Sequence, residues 1–322
     1  LSAETDLLFV VGGQSSGTST LVGTLNAHPD IFLLYETRMN RTAVSRYGNQ
    51  LLDSFPEVRP YFRGGPDVGQ PYKQLAAFLN DKLGKSYRYI GDKLITLDAD
   101  GTFGSRPYRT IFALRDIRTW LCKKQIVKWY RTDLDIVAPA LTYLAMVCRS
   151  CGHQLSYRVP LEQLIEQHES VVDGLSGFLD LDLRGPAAEW WLHVGDYDSG
   201  DPKGAQDWAS VHPSSRRPPT TLDTTVEIKS HPFWDEFLPL FEKYYGSGCP
   251  DPALAGEIAA DLEKAENLMR FAPLPLAEAF GDIETANFGA EPKPGNPPSS
   301  PAPAPSMMDK VASAFGLGRK DF

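Results

Sequence analysis

What the chain has little of narrows the field before any motif is read. It has four cysteines in 322 residues. Cys148 and Cys151 form a C-x-x-C with His153 two residues on, but a structural zinc site needs a second ligand pair, which Cys249 alone does not supply. The strand-then-helix context of a thioredoxin-type redox pair is also missing. Cys148 ends an apolar stretch, LTYLAMVC, that reads as a helix interior, so these cysteines are expected in a core and a reduced, cytoplasmic residence is expected with them. Positive charge is scarce too: 32 basic against 41 acidic residues leave a net charge of −9. That balance argues against a nucleic-acid partner, and it disfavours a strongly polyanionic substrate unless a local basic cleft overrides the average. No apolar run approaches the roughly 20 residues that span a membrane. The N-terminus carries no secretory signal, although it opens on Leu1 and a leader or anchor upstream stays open.

What remains is ordinary for a soluble globular chain: 42% hydrophobic and 23% charged residues. One stretch organises it. Leu7 to Val11 is a continuous branched apolar run, the mark of a buried strand. Gly12 and Gly13 break it, Gln14 to Gly17 form a turn, and Leu21, Val22 and Leu25 then fall at helical spacing until His28-Pro29. A helix start leaves about four N–H groups without intrahelical partners and carries partial positive charge, so it receives anions. Gly12, Gly13 and Gly17 allow close backbone approach, and Ser16, Thr18, Ser19 and Thr20 add hydroxyl donors. The Gly12-to-Gly17 spacing matches the phosphate loop G-x-x-x-x-G-K-[ST], but Thr18 replaces the lysine that a nucleotide triphosphatase needs. An anion cradle and a plain strand-to-helix turn are the two readings.

Gly13-Gln14-Ser15-Ser16-Gly17-Thr18-Ser19, followed by His28-Pro29, resembles the opening of the sulfotransferase family, Gly-x-Pro-[Arg/Lys]-Ser-Gly-Thr-[Thr/Ser] and then His-Pro. The resemblance is to the carbohydrate-type, bacterial branch. It implies that the loop, with Gly13, Ser15, Ser16, Gly17, Thr18 and Ser19, holds the 5′-phosphosulfate of 3′-phosphoadenosine 5′-phosphosulfate (PAPS). Gln14 departs from the family's proline and Ser15 from its basic residue.

Further along, the family pattern assigns roles that the residues themselves leave open. Residues 30 to 37, DIFLLYET, form a second strand candidate, and Glu36 at its end fits the family's general base. A helix-start carboxylate or an ion pair with Arg38 or Arg41 is its other reading. Asn40 to Leu52 and Tyr72 to Leu83 are helix candidates, with Pro56 to Pro71 loop-like between them. Tyr87 to Leu97 is a third strand candidate, interrupted by Gly91-Asp92-Lys93. Lys93 matches the family lysine that stabilises the leaving oxygen, with a surface lysine beside Asp92 as the alternative.

The clearest strand, Thr110 to Leu114, runs into Arg115-Asp116-Ile117-Arg118. Arg115 corresponds to the family arginine that grips the 3′-phosphate, Arg118 to the second basic position, and Lys123 to the family's serine. A Walker-B-like strand with Asp116 on Mg²⁺ is the competing reading. Trp129 to Val147 reads as one or two helices broken near Pro139. Gln154 to Val159 is a fifth strand, followed by helical spacing through Leu161, Leu164, Ile165, Val171, Leu175 and Phe178. In the Gly-, Pro- and Ser-rich region after Gly185, Lys203 in PKGAQDW resembles the family element closing over the 3′-phosphate, with Arg216-Arg217 as its rival and solvated loop charges as the third reading. Phe233 to Tyr245 is an amphipathic helix, and Pro252 to Phe271 contains another.

The resemblance spans about residues 6 to 246. It implies an α/β fold, a parallel sheet flanked by helices as in the P-loop nucleotide kinases, over residues 1 to 285. A Pro-rich linker, 286 to 306, and a short helical or disordered tail, 307 to 322, follow; the tail is a candidate docking element for a protein partner. The expected activity is sulfuryl transfer from PAPS to a small-molecule or glycan hydroxyl, without a metal. A phosphotransferase with a degenerate loop and a non-catalytic nucleotide-binding module of the same fold are the alternatives.

Overall fold

The structure is a computed structural model, and it describes residues 5–13, 16–35, 71–84, 86–94, 108–121, 135–187, 227–247 and 251–280. Gln14, Ser15, Glu36, Lys123, Lys203, Arg216, Arg217 and everything from residue 281 onward lie outside those residues. The chain divides into two compact units, residues 1–115 with 153–223, and residues 116–152 with 224–322.

The first unit is built on five strands: β1 (Asp6–Gly12), β2 (Ile31–Tyr35), β3 (Tyr89–Leu94), β4 (Arg109–Leu114) and β5 (Ser156–Pro160). They lie in the order β2-β3-β1-β4-β5, and every pairing is parallel. β1 and β2 are mostly apolar on both faces because a parallel sheet is covered on both sides, whereas β3 carries Asp92 and Lys93. From β1 the chain first builds one side of the sheet (β2, β3) and then the other (β4, β5). The order therefore reverses beside β1, which is where open α/β sheets bind ligands at the strands' carboxyl ends.

Helix α1 (Thr18–Asn26) covers one face. Its Leu21, Val22 and Leu25 pack with Leu8 and Val10 of β1, Ile31 and Leu33 of β2, and Ile111 and Ala113 of β4. The Asn26 side chain fastens the helix end to β2, donating to the Leu33 carbonyl at 2.9 Å and accepting from its N–H at 2.7 Å. The same core takes in Leu164 and Ile165 from the helix after β5 (Leu161–Glu166), and Val171, Val172, Leu175 and Leu179 from the next (His168–Leu179). The opposite face carries α2 (Pro71–Leu83), whose Tyr72 stands edge-on to Phe9 of β1 with ring centroids 5.4 Å apart.

The second unit is helical. A short helix, α3 (Ile117–Leu121), leads to α4 (Val137–Gly152), and later come the helices Pro232–Tyr245 and Ile258–Glu266. Trp120 stacks on Tyr143 at 4.5 Å, and Phe233, Trp234, Phe237 and Phe241 are fully or almost fully buried. Cys148 and Cys151 are free thiols buried in α4. Among the described residues no helix is long and apolar enough to cross a membrane.

Candidate active site

The loop from β1 to α1 is closed by Ser16. Its N–H and its hydroxyl both donate to the Gly13 carbonyl, at 3.1 and 2.6 Å, and the residue is buried. The Ser16 hydroxyl thus shapes the loop, a direction that a count of hydroxyls does not reveal. Gly12 lets the loop fold back on the sheet: a Cβ there would lie 2.5 Å from Ser16 Oγ and 2.7 Å from the Ala113 carbonyl oxygen. Gly17 is the N-cap of α1 in the left-handed conformation (φ 89°, ψ 10°) that glycine adopts without strain.

A glycine cap has no side chain to bond the helix start, and the first turn contains no acidic residue. The first bond of the helix is Leu21 N–H to the Gly17 carbonyl, at 3.0 Å. The N–H groups from Gly17 to Thr20 therefore precede the helix's own bonding, with Thr18 buried beside them. This is the donor set and the electrostatic sign an anionic phosphosulfate needs.

Two cations accompany it on the same sheet edge. Lys93 pairs in register with Val10 of β1 and Tyr35 of β2, and it is 5% exposed. It is a buried residue and not a surface lysine. Strand alternation puts it with Tyr89 on the face that α1 covers. On the other side of β1, Gly12 pairs with Ala113, which places Arg115 just beyond β4; Arg115 is 3% exposed. Both cations are held by interactions within the protein, as buried charges must be. Glu36 follows Tyr35 in the chain and lies outside the described residues. Ser15, Lys123 and Lys203 lie outside them as well.

Arg118 is committed elsewhere, within the second unit. Its guanidinium donates to Asp116 at 3.0 Å and to Glu242 at 2.6 Å. Burial works against that charge, but the Glu242 hydrogen bond and the Asp116 carboxylate outweigh it and raise the guanidinium above its ordinary value. Asp116 also accepts the Arg118 N–H at 2.8 Å and so caps α3. Both carboxylate oxygens are used structurally, which speaks against a Walker-B aspartate on Mg²⁺. Among the described residues no group of three or more His, Cys, Asp or Glu is placed to hold a metal.

Sequence reasoning missed one buried pair beside Lys93. Asp92 is completely buried and accepts a hydrogen bond from the Tyr72 hydroxyl at 3.2 Å. A carboxylate inside a central strand was the available signal.

No family model matches the chain, and no curated protein matches it. Among solved structures, the sulfotransferase domain from the Synechococcus PCC 7002 olefin synthase superposes with a TM-score of 0.52 at 15% identity, covering 78% of this chain and 98% of that domain. The fold is that of a sulfotransferase domain. The sulfotransferase domain from the curacin biosynthetic pathway is also similar, with a TM-score of 0.43 at 15% identity over 81% of this chain and 99% of that one. In the sulfotransferase fold found here, the parallel sheet brings the glycine-capped loop, Lys93 and Arg115 to one edge.

Proposed function

We propose that this chain is a PAPS-dependent sulfotransferase of the carbohydrate-type branch, acting on a hydroxyl of a carbohydrate or a small metabolite. The observation that supports the reading is that the strands on either side of β1 carry buried Lys93 and lead to buried Arg115, at the sheet edge where β1 runs into the glycine-capped start of α1. PAPS supplies an activated sulfuryl group on a phosphate leaving group. Backbone amides from Gly17 to Ser19, with Gly13, Ser15, Ser16 and Thr18 shaping the loop, bind the 5′ end. Arg115 holds the 3′-phosphate through its planar fork, supported by Lys123 and Lys203. Lys93 stabilises the charge that grows on the leaving oxygen, an interaction strongest in the transition state. Glu36 takes the proton from the attacking hydroxyl.

Residues 1–285 form the catalytic region in this reading, followed by a Pro-rich linker, 286–306, and a short helical or disordered tail, 307–322, that is a candidate docking element. Free, buried Cys148 and Cys151 accord with a cytoplasmic setting.

The test is calorimetric titration of the purified chain with 3′-phosphoadenosine 5′-phosphate (PAP), and separately with ATP plus Mg²⁺. The expected result is PAP binding in the micromolar range, weakened about tenfold or more by Arg115→Ala, since a charge-assisted bidentate contact is at stake. Binding of ATP with Mg²⁺ and not of PAP overturns the proposal.

A further inference from the structure

Asp92 and Lys93 are consecutive residues of β3 that face opposite sides of the sheet. Lys93 lies on the α1 side. Asp92 lies on the α2 side, completely buried, in register with Phe9 of β1 and Leu34 of β2. A carboxylate at that position costs stability unless it is bonded, and an apolar residue would fill the same place without that cost.

Tyr72 supplies one such bond. It sits in the first turn of α2, 1% exposed, donates its hydroxyl to Asp92 Oδ2 at 3.2 Å, and sets its ring edge-on to Phe9. One side chain thus spans β3 and β1 on the face opposite the phosphate loop. The bond anchors α2 to β3 at the residue next to Lys93, in a strand whose backbone is already paired on both sides.

We infer that Tyr72 and Asp92 are positioning residues for Lys93. They hold its ammonium at the place where the phosphate leaving group of the cofactor is bound. The inference rests on the proposed role of Lys93.

The experiment is a double-mutant cycle on the full chain, reading PAP affinity by calorimetry for wild type, Tyr72→Phe, Lys93→Met and the double variant. Tyr72→Phe is expected to weaken PAP binding about three- to tenfold, the loss of one hydrogen bond expressed through the lysine. In the Lys93→Met background it is expected to have no further effect. Leu75→Ala, on a buried residue of the same helix, is the stability control and is expected to lower the unfolding midpoint while leaving PAP affinity unchanged. Asp92→Asn keeps an acceptor for Tyr72 and is expected to stay within about twofold of wild type. Unchanged affinity in Tyr72→Phe, effects that multiply in the double variant, or an equal loss in Leu75→Ala overturns the inference while leaving the function standing. A wild-type chain that binds no PAP overturns the function, and this inference with it.

Discussion

Replacing Gly17 by alanine perturbs the loop at the point where two independent costs can be separated. The first is conformational. At φ 89° and ψ 10° an L-residue carries a left-handed strain of about 1–2 kcal/mol. The second is packing: the new methyl would lie 2.7 Å from Leu161 Cδ1. Leu161 is 9% exposed and belongs to the core formed with α1, so its side chain can yield only by disturbing neighbours, an overpacking cost of about 1–3 kcal/mol. The variant should therefore lose about 2–5 kcal/mol in urea unfolding followed by far-UV circular dichroism. Leu161→Ala alone should cost about 2–3 kcal/mol from the lost methyl groups. The double variant should then be more stable than the two single losses predict, by about the size of the clash. PAP affinity should fall in Gly17→Ala, because the strained residue is the one whose N–H opens the helix. A loss below about 0.5 kcal/mol, within the range of ordinary surface substitutions, refutes the loop geometry. Strict additivity in the double variant refutes the packing part alone.

Two further outcomes test the frame around the site. Asp261 is buried and accepts from Lys243 at 2.5 Å, Lys264 at 2.6 Å and Tyr244 at 2.9 Å. Burial alone pushes its carboxyl up, but these donors more than offset it and hold it at about 2, against an ordinary 3.8. The unfolded chain therefore takes up the proton first as pH falls. The contribution, about 2 kcal/mol, should be complete above pH ~4 and fade toward pH ~2, and Asp261→Asn should remove that part of the acid dependence of the urea midpoint. Tyr89 is buried and donates its hydroxyl to the Leu179 carbonyl at 2.8 Å. Tyr89→Phe should leave that carbonyl unpaired, cost about 1–2 kcal/mol, and speed amide exchange at the end of the His168–Leu179 helix.

How far the sequence carries depends on whether a feature is local. β1 was legible because five apolar residues end at two glycines, and β4 because an apolar run ends at Arg115. The interruption expected at Gly91-Asp92-Lys93 is absent: β3 runs through all three, since its backbone is paired to β1 and β2 on both sides. Pairing on two sides outweighs the low strand preference of those residues. Near Pro139 a helix begins: Pro139 lies in the first turn of α4, where a missing N–H costs nothing, and residues 122–134 before it lie outside those described. The stretch from Pro252 to Phe271 divides into Pro252–Ala255, Ile258–Glu266 and a 3₁₀ turn, with Gly256 after the first. At the site, the positions of Lys93 and Arg115 could be read because each sits near a strand end. The Tyr72–Asp92 bond could not, because its partners are 20 residues apart and meet only once α2 lies across the sheet. Arg118 looked like a phosphate ligand from its place after Arg115, and Glu242, 124 residues away, is what engages it.

The net charge of −9 and a polyanionic cofactor are reconciled by where the charges stand. Surface carboxylates act through water and salt, and beyond about 8–10 Å they are largely screened at physiological ionic strength. Lys93 and Arg115 are buried, where screening is weak and a unit charge acts at a far lower effective dielectric. They accompany a helix start with no acidic residue in its first turn and a glycine at its N-cap. At that edge buried Lys93 and Arg115 act on an anion more strongly than the surface carboxylates do. The protein-wide excess of acid acts at longer range, on the approach of an anion, where it lowers the encounter rate more than the strength of binding. In the proposed function, a negative chain binds a phosphosulfate because the parallel sheet gathers Lys93 and Arg115 where β1, β3 and β4 end.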